Sequence, residues 1–471
     1  MNIHLFNNPN KISGNINITG SKSVSNRLLI LQALYPNIKL KNISNSDDTN
    51  TLKKALSSSN SLININHAGT AMRFLTAYFA IELKKETVLT GSKRMKERPI
   101  KILVDALLML GAEISYEGDM GFPPIKIKNT ISSNNFIELS SSTSSQYISS
   151  LMLIAPKMSD GLTIQMSGII TSLPYIKMTV SILKKLGIDV KFNNNKIIIS
   201  NQESIDSKTI NIESDWSSSS YFFSIIALSE DSVLRLNRFN KNSLQGDSIL
   251  RNIYEKLGVS SHFEGHTLVL KKIKNFDIPD NITINLIDSP DIAQTIAVTC
   301  FGLGISCDLT GLHTLKIKET DRLLALKIEL EKLGAEIEIT NNSIHLSCCS
   351  KINENISIDT YNDHRMAMAF APLAILVPLK IKETDRLLAL KIELEKLGAD
   401  IEITNNSIHL SSCSKINKNI SIDTYNDHRM AMAFAPLAIL VPLKINNPDV
   451  VSKSYKNFWS DLKAINFNIS D

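Results

Sequence analysis

Leu330-Glu331-Lys332-Leu333-Gly334-Ala335-Glu336-Ile337-Glu338-Ile339 changes its period in the middle. Up to Leu333 the residues close an amphipathic run, and from Ala335 apolar residues alternate with glutamate. That change predicts a helix stopped by a glycine in the left-handed conformation, followed by a half-buried strand. The same signature recurs at Leu110-Gly111, Leu186-Gly187, Leu257-Gly258 and Leu397-Gly398, at nearly regular intervals. Recurrence of one helix-strand unit in this way predicts an α/β fold assembled from repeated modules.

Working outward, Leu315–Pro378 returns as Leu379–Pro442, a shift of 379 − 315 = 64 positions. The two stretches differ only at Glu336/Asp400, Cys348/Ser412 and Glu354/Lys418. Leu-Lys-Ile stands at 315, 379 and 443, a short match that a tandem copying event would use. Without one copy the chain would hold 471 − 64 = 407 residues.

With 471 residues, 43% hydrophobic and 21% charged, the chain is expected to fold as a soluble protein of two or three domains. Lys and Arg exceed Asp and Glu by 51 − 46 = 5, without basic blocks, which leaves a nucleic-acid partner no electrostatic footprint. The start is polar, and the longest apolar runs, Met366–Leu379 and Met430–Leu443, are too short to span a bilayer, so secretion and membrane insertion are not expected. Five cysteines without CxxC spacing argue against a disulfide framework and a structural zinc site. The expected setting is a reducing cytoplasm, with no metal.

Six strings carry chemistry. Gly20-Ser21-Lys22-Ser23-Val24-Ser25-Asn26-Arg27 opens an apolar helix, offering backbone N–H groups, hydroxyls, an ammonium and a guanidinium, with Ser23 and Arg27 on one face. That suits a phosphate, although a capped helix with solvated basic residues is the commoner meaning. His67-Ala68-Gly69-Thr70-Ala71-Met72-Arg73 sets a small turn before another helix. In Lys96-Glu97-Arg98-Pro99-Ile100 the proline can begin a helix and hold Arg98 just outside it; a surface ion pair is the bland alternative. Ser144-Ser145-Gln146 precedes an apolar run and places hydroxyls at a helix start.

Lys318-Glu319-Thr320-Asp321-Arg322 is expected on a helix that presents two cations and a carboxylate on one surface, or else a solvated charged face, and it returns as Lys382-Glu383-Thr384-Asp385-Arg386. Asp363-His364-Arg365, returning as Asp427-His428-Arg429, begins a strongly apolar helix, where charges need partners. His364 and His428 lack a second ligand at metal-site spacing and read as structural.

Taken in order, these strings resemble the enolpyruvylshikimate-phosphate synthase family, whose hallmarks include Ala-Gly-Thr-Ala-Met-Arg, Glu-Arg-Pro, Lys-Glu-Thr-Asp-Arg and Asp-His-Arg-Met-Ala. The resemblance runs from residue 20 to residue 431. It implies two similar α/β domains of three βαβαββ units each, hinged to enclose the substrates, over 20–212 and over 1–19 with 213–471. One surplus unit would lie within the repeat 315–378/379–442. It also implies transfer of the enolpyruvyl group of phosphoenolpyruvate to shikimate 3-phosphate, with no cofactor and a monomeric enzyme.

By the same resemblance, Lys22, Ser23, Arg27, Ser144, Ser145, Gln146, Ser172, Asp291 and Lys318 would hold shikimate 3-phosphate. Lys22, Gly69, Arg98, Gln146, Arg322, an arginine of the Asp-His-Arg string (Arg365 or Arg429) and Lys453 would hold phosphoenolpyruvate. Asp291 would be the base and Glu319 the proton donor. Thr314 stands where the family often contacts the substrate phosphate. His67 and Phe74 depart from the family's usual Asn and Pro near the phosphoenolpyruvate site, which bears on affinity and on response to glyphosate-like inhibitors.

The two copies compete for one place in the fold. Either the first or the second fills it, or a hybrid takes Lys318, Glu319 and Arg322 from the first and Arg429 from the second. Only the first copy follows closely on Asp291, with Glu319 placed 319 − 291 = 28 positions after it, and only the second runs into Lys453. The hybrid is therefore the preferred expectation. A catalytically inactive remnant is the competing reading. The related transferase acting on UDP-N-acetylglucosamine is disfavoured by the Lys-Glu-Thr-Asp-Arg and Asp-His-Arg strings.

Overall fold

The structure is a computed structural model that describes residues 2–6, 13–66, 68–82, 86–129, 134–140, 144–168, 173–229, 231–317, 321–348, 353, 356–359, 379–382, 393–399, 401–404, 407–410, 416–424, 428–453, 455 and 457–470. The chain divides into two units. An inserted unit comprises Thr19–Asp215 and Asn242–Gly246, and a terminal unit comprises Met1–Ile18, Trp216–Lys241 and Asp247–Asp471.

The helix-to-strand junctions form as the periodicity predicts. Gly111, Gly187, Gly258, Gly334 and Gly398 all have φ between 80° and 99°. That region strains any residue with a Cβ, so glycine ends each helix and releases the chain into a strand. The strands that follow are Glu113–Tyr116, Val190–Asn193, Val259–Glu264, Ile337–Ile339 and Ile401–Thr404.

Among the described residues, five four-stranded sheets share one order, in which two strands pair in parallel and two more add antiparallel. In the inserted unit, Leu62–Asn64 pairs in parallel with Thr87–Thr90, which is followed by Ile125–Asn129 and Glu113–Tyr116. Phe136–Ser140, Leu162–Ser167, Lys196–Ile199 and Val190–Asn193 repeat the order. In the terminal unit it recurs in Ser13–Ile16 with Val233–Leu236, Thr267–Lys272 and Val259–Glu264, and in Asn281–Asn285 with Ser306–Thr310, Ser343–Leu346 and Ile337–Ile339. The fifth sheet is built from both chain ends: Ile420–Ile422, Leu443–Asn446, Asn2–Phe6 and Asn468–Ser470.

Helices fill the inside of each unit. The inserted unit's Lys22–Leu34 helix packs against Gly69–Phe79, Ser145–Ile154 and Leu173–Lys185, and every residue from Val24 to Leu31 is buried. A helix buried all round has little amphipathic pattern, and its packing carries it: each buried Leu or Ile contributes about 1.5–3 kcal/mol. In the terminal unit, Trp216–Leu228 and Ala293–Leu303 play this part around the fully buried Trp216, Phe223 and Tyr254.

The described parts of the repeated stretch fold alike in its two copies. The hairpin Ile337–Ile339/Ser343–Leu346 pairs Ile337 with Leu346, and Ile401–Thr404/Ser407–Leu410 pairs Ile401 with Leu410, the duplicate residues in the same register. Ile356–Asp359 lies parallel to Leu379–Lys382 with Ile356 opposite Leu379, and Ile420 stands opposite Leu443 in the same way. Glu329 is buried and ion-paired to Lys332 at 2.8 Å, and Glu393 is likewise buried and paired to Lys396 at 2.8 Å.

Candidate active site

In the inserted unit the Lys22–Leu34 helix begins where the chain crosses Glu213 and Asp215. Ser21 N–H donates to Glu213 O at 2.8 Å, and Lys22 N–H donates to Asp215 Oδ2 at 3.2 Å. The Lys22 ammonium, nearly half exposed, sits 3.6 Å from Asp48 Oδ2. One turn on, the Arg27 guanidinium is buried. Its Nη1 donates to Ser23 O at 2.9 Å, Nε to Thr179 Oγ1 at 2.8 Å and Nη2 to Ser149 Oγ at 2.9 Å. Burial lowers its pKa to about 10, which still leaves it charged at neutral pH. The ring of Phe74 lies 5.5 Å from the guanidinium carbon, so this departure from the family pattern lines Arg27 with an aromatic face.

The Gly69–Phe79 helix starts beside two guanidinium groups. A Cβ on Gly69 would come within 2.7 Å of both Arg73 Nη1 and Arg98 Nη1. Arg73, which donates to Gly69 O at 2.8 Å, is buried, and its pKa is lowered by that burial and by the neighbouring Arg98. Two guanidinium groups held this close repel each other, and a bound anion relieves that repulsion. The Ser145–Ile154 helix is capped by Ser144 Oγ, which accepts from Gln146 N–H at 3.3 Å. Gln146 Nε2 reaches Thr70 Oγ1 at 3.5 Å. Tyr147 on the same helix donates to Pro99 O at 2.5 Å and lies 5.8 Å from the Arg73 guanidinium, tying the Arg98-Pro99 turn to the Arg73 helix.

In the terminal unit Asp291 sits in the 3-10 turn Pro290–Ile292 that leads into the Ala293–Leu303 helix. Its Oδ1 is 3.5 Å from Arg322 Nη1, and Arg322 is 2% exposed, among the largest fully buried side chains. The helix carrying Arg322 begins at that residue, with Asp321 as its cap accepting from Leu323 and Leu324 N–H at 3.1 Å each. This corrects the expectation of a helix running through Lys318 to Arg322: an aspartate with a free side-chain oxygen is worth more at the cap than inside the helix. Gln294, one turn after Asp291, is buried with neither amide atom hydrogen-bonded among the described residues, and so are His313 Nε2 and Thr314 Oγ1.

The His428–Phe434 helix packs against the 3-10 segment Pro448–Lys453. His67, Ser172, Lys318, Glu319, Arg365, Glu383 and Arg386, and the side chains of Lys382, Arg429 and Lys453, lie outside the described residues. No group of three metal-ligand side chains and no helix long and apolar enough to cross a membrane occurs among the described residues. The sequence reading gave no role to Arg73, Tyr147 or Gln294. Arg73 ended a quoted string, and only the fold sets it against Arg98.

The protein is a mixed α/β fold of repeated four-stranded sheets in which buried arginines face a glycine and a carboxylate. The profile of the family described as EPSP synthase (3-phosphoshikimate 1-carboxyvinyltransferase) matches residues 51–379 and, again, 376–462, and the chain belongs to this family. It is 36% identical over 468 residues to the 3-phosphoshikimate 1-carboxyvinyltransferase of Bacteroides fragilis strain YCH46, covering 99% of this chain and 98% of that protein. The Colwellia psychrerythraea protein of the same name is 34% identical over 398 residues, 78% of this chain and 91% of its own length. The solved EPSP synthase of Acinetobacter baumannii shares the fold, with a TM-score of 0.59 at 17% identity over the full length of both chains.

Proposed function

We propose that this chain transfers the enolpyruvyl group of phosphoenolpyruvate to a hydroxyl of shikimate 3-phosphate and releases phosphate, a step of aromatic amino-acid biosynthesis. The observation that carries the reading is the convergence of Arg73 and Arg98 on Gly69, because phosphoenolpyruvate brings a phosphate and a carboxylate that must be neutralised together. Membership of the family over nearly the whole chain supports it.

In this reading Asp291 takes the proton of the attacking hydroxyl while that oxygen bonds to the central carbon of phosphoenolpyruvate, and Glu319 delivers a proton to the methylene carbon. The tetrahedral intermediate then loses phosphate, and the methyl carbon returns a proton as the double bond re-forms. Lys22, Ser23, Arg27, Ser144, Ser145, Gln146, Ser172 and Lys318 hold shikimate 3-phosphate. Lys22, Gly69, Arg98, Gln146, Arg322, Arg429 and Lys453 hold phosphoenolpyruvate. The enzyme works as a cytoplasmic monomer.

The stretch 379–442 is read as a surplus unit and the site as the hybrid. The pairing of Arg322 with Asp291, and the packing of the His428–Phe434 helix on Pro448–Lys453, favour one copy for each role. The second match to the family profile, starting at residue 376, favours the surplus.

The test is phosphate release by the full-length chain, omitting each substrate in turn, with Asp291→Asn as control. Release that needs both substrates and is lost in the control is expected. No release from a folded chain would overturn the reading in favour of an inactive remnant.

A further inference from the structure

Lys453 ends the 3-10 segment Pro448–Lys453, and the next helix, Phe458–Ala464, turns back to grip that segment at both ends. Trp459 Nε1 donates to Pro448 O at 2.8 Å. Tyr455, whose N–H donates to Val451 O at 2.7 Å, donates its hydroxyl to Asp461 Oδ2 at 2.7 Å. The rings of Tyr455, Phe458 and Trp459 stack edge to face, with centroids 5.6 and 5.0 Å apart.

The helix is itself anchored. Its end lies on the strand Ser13–Ile16 so closely that a Cβ on Gly14 would overlap the carbonyl oxygen of Ala464, and Asn466 donates to Ser13 Oγ. Asp461 is 5% exposed and also accepts from Asn17 N–H, so its carboxylate joins the helix, the strand end and Tyr455. A surface helix needs none of this: a buried carboxylate and a glycine-only contact are costly unless a fixed position is required.

We propose that the Phe458–Ala464 helix is a positioning bracket for the Lys453 segment, so that Tyr455, Trp459 and Asp461 set phosphoenolpyruvate affinity through Lys453 without touching either substrate. The inference rests on the assignment of Lys453 to phosphoenolpyruvate. Loosening the bracket frees the Lys453 backbone, and a misplacement of about 1 Å is enough to weaken one ligand's contact by roughly tenfold.

The experiment measures KM for each substrate and Tm in full-length Lys453→Met, Tyr455→Phe, Trp459→Phe, Asp461→Ala and Asp461→Asn. Lys453→Met is expected to raise KM for phosphoenolpyruvate most. Tyr455→Phe and Trp459→Phe should raise it by about tenfold, with KM for shikimate 3-phosphate unchanged. Asp461→Asn, which keeps an acceptor for Tyr455, should restore most of what Asp461→Ala loses. If Tyr455→Phe and Trp459→Phe lower Tm but move neither KM, or move both together, the bracket is overturned. If Lys453→Met itself leaves KM for phosphoenolpyruvate unchanged, the assignment of Lys453 falls and takes the bracket with it. Should Asp461→Ala fail to fold, Tyr455→Phe, which removes one hydroxyl, decides.

Discussion

Residues 315–378 and 379–442 are nearly one sequence placed twice, and they differ in what surrounds them. Both form the same hairpin in the same register and the same buried Glu-Lys pair. In the first copy the hairpin joins the sheet of Ser306–Thr310, and Arg322 reaches Asp291. In the second, Ile420–Ile422 enters the sheet made from the two chain ends. Local pairing follows from the sequence, whereas the neighbour each copy meets depends on what precedes and follows it. Asp291 lies shortly upstream of the first copy, and Lys453 lies directly downstream of the second.

The sharpest way to break this comparison is to treat the equivalent arginines alike. Arg322→Met is expected to lower kcat/KM by about 10²–10³, by removing a guanidinium from the developing charge, while Arg386→Met should leave it within about twofold. The reverse ranking in a phosphate-release assay would give the site to the second copy.

Deletion of 379–442 comes next. It rejoins Pro378 to Leu443 and should leave a soluble enzyme with activity within about an order of magnitude of the full chain. An inactive deletion product beside an active full-length chain would show that the second copy is needed.

A smaller effect compares the buried glutamates. Glu329→Ala and Glu393→Ala each break a pair whose lysine is about one-third exposed, so each should cost about 3 kcal/mol, the low end for a buried pair. Measured by denaturant unfolding, the two losses should agree within about 1 kcal/mol. A larger difference would mean that the surroundings of the two copies support the pair unequally.

The smallest effect lies in the end segment that the second copy runs into. Burial raises the Asp461 carboxyl to about 6, against an unfolded value of about 3.9. The folded state therefore binds more protons across that window, and stability falls as pH rises from about 4 through about 6. Asp461→Asn should abolish this slope, so that wild-type Tm falls relative to the variant between pH 4 and 7. Parallel curves would contradict it.

Much of the architecture was legible because it is written locally. A period change at Leu-Gly needs only glycine's access to positive φ, and the helix starts at Lys22, Gly69 and Ser145 stand where the quoted strings place them. Asp321 was misread because charges at four-residue spacing resemble a helix face whether or not an aspartate among them is the cap. Gln294 gave no signal, since its burial beside Asp291 depends on packing from other elements.

By itself, then, the sequence determined the repeated helix-strand unit, the order of the charged strings and the tandem copy, all of which depend on neighbours within a few residues or on self-comparison. Only the tertiary structure decided that Arg73 meets Arg98 at Gly69, that Arg322 has Asp291 within reach, and that Gly14 receives the carbonyl of Ala464. Each of those contacts joins residues far apart along the chain, Gly14 and Ala464 at nearly opposite ends of it. Which distant pair meets is fixed by the packing of whole elements, a choice that no local spacing encodes.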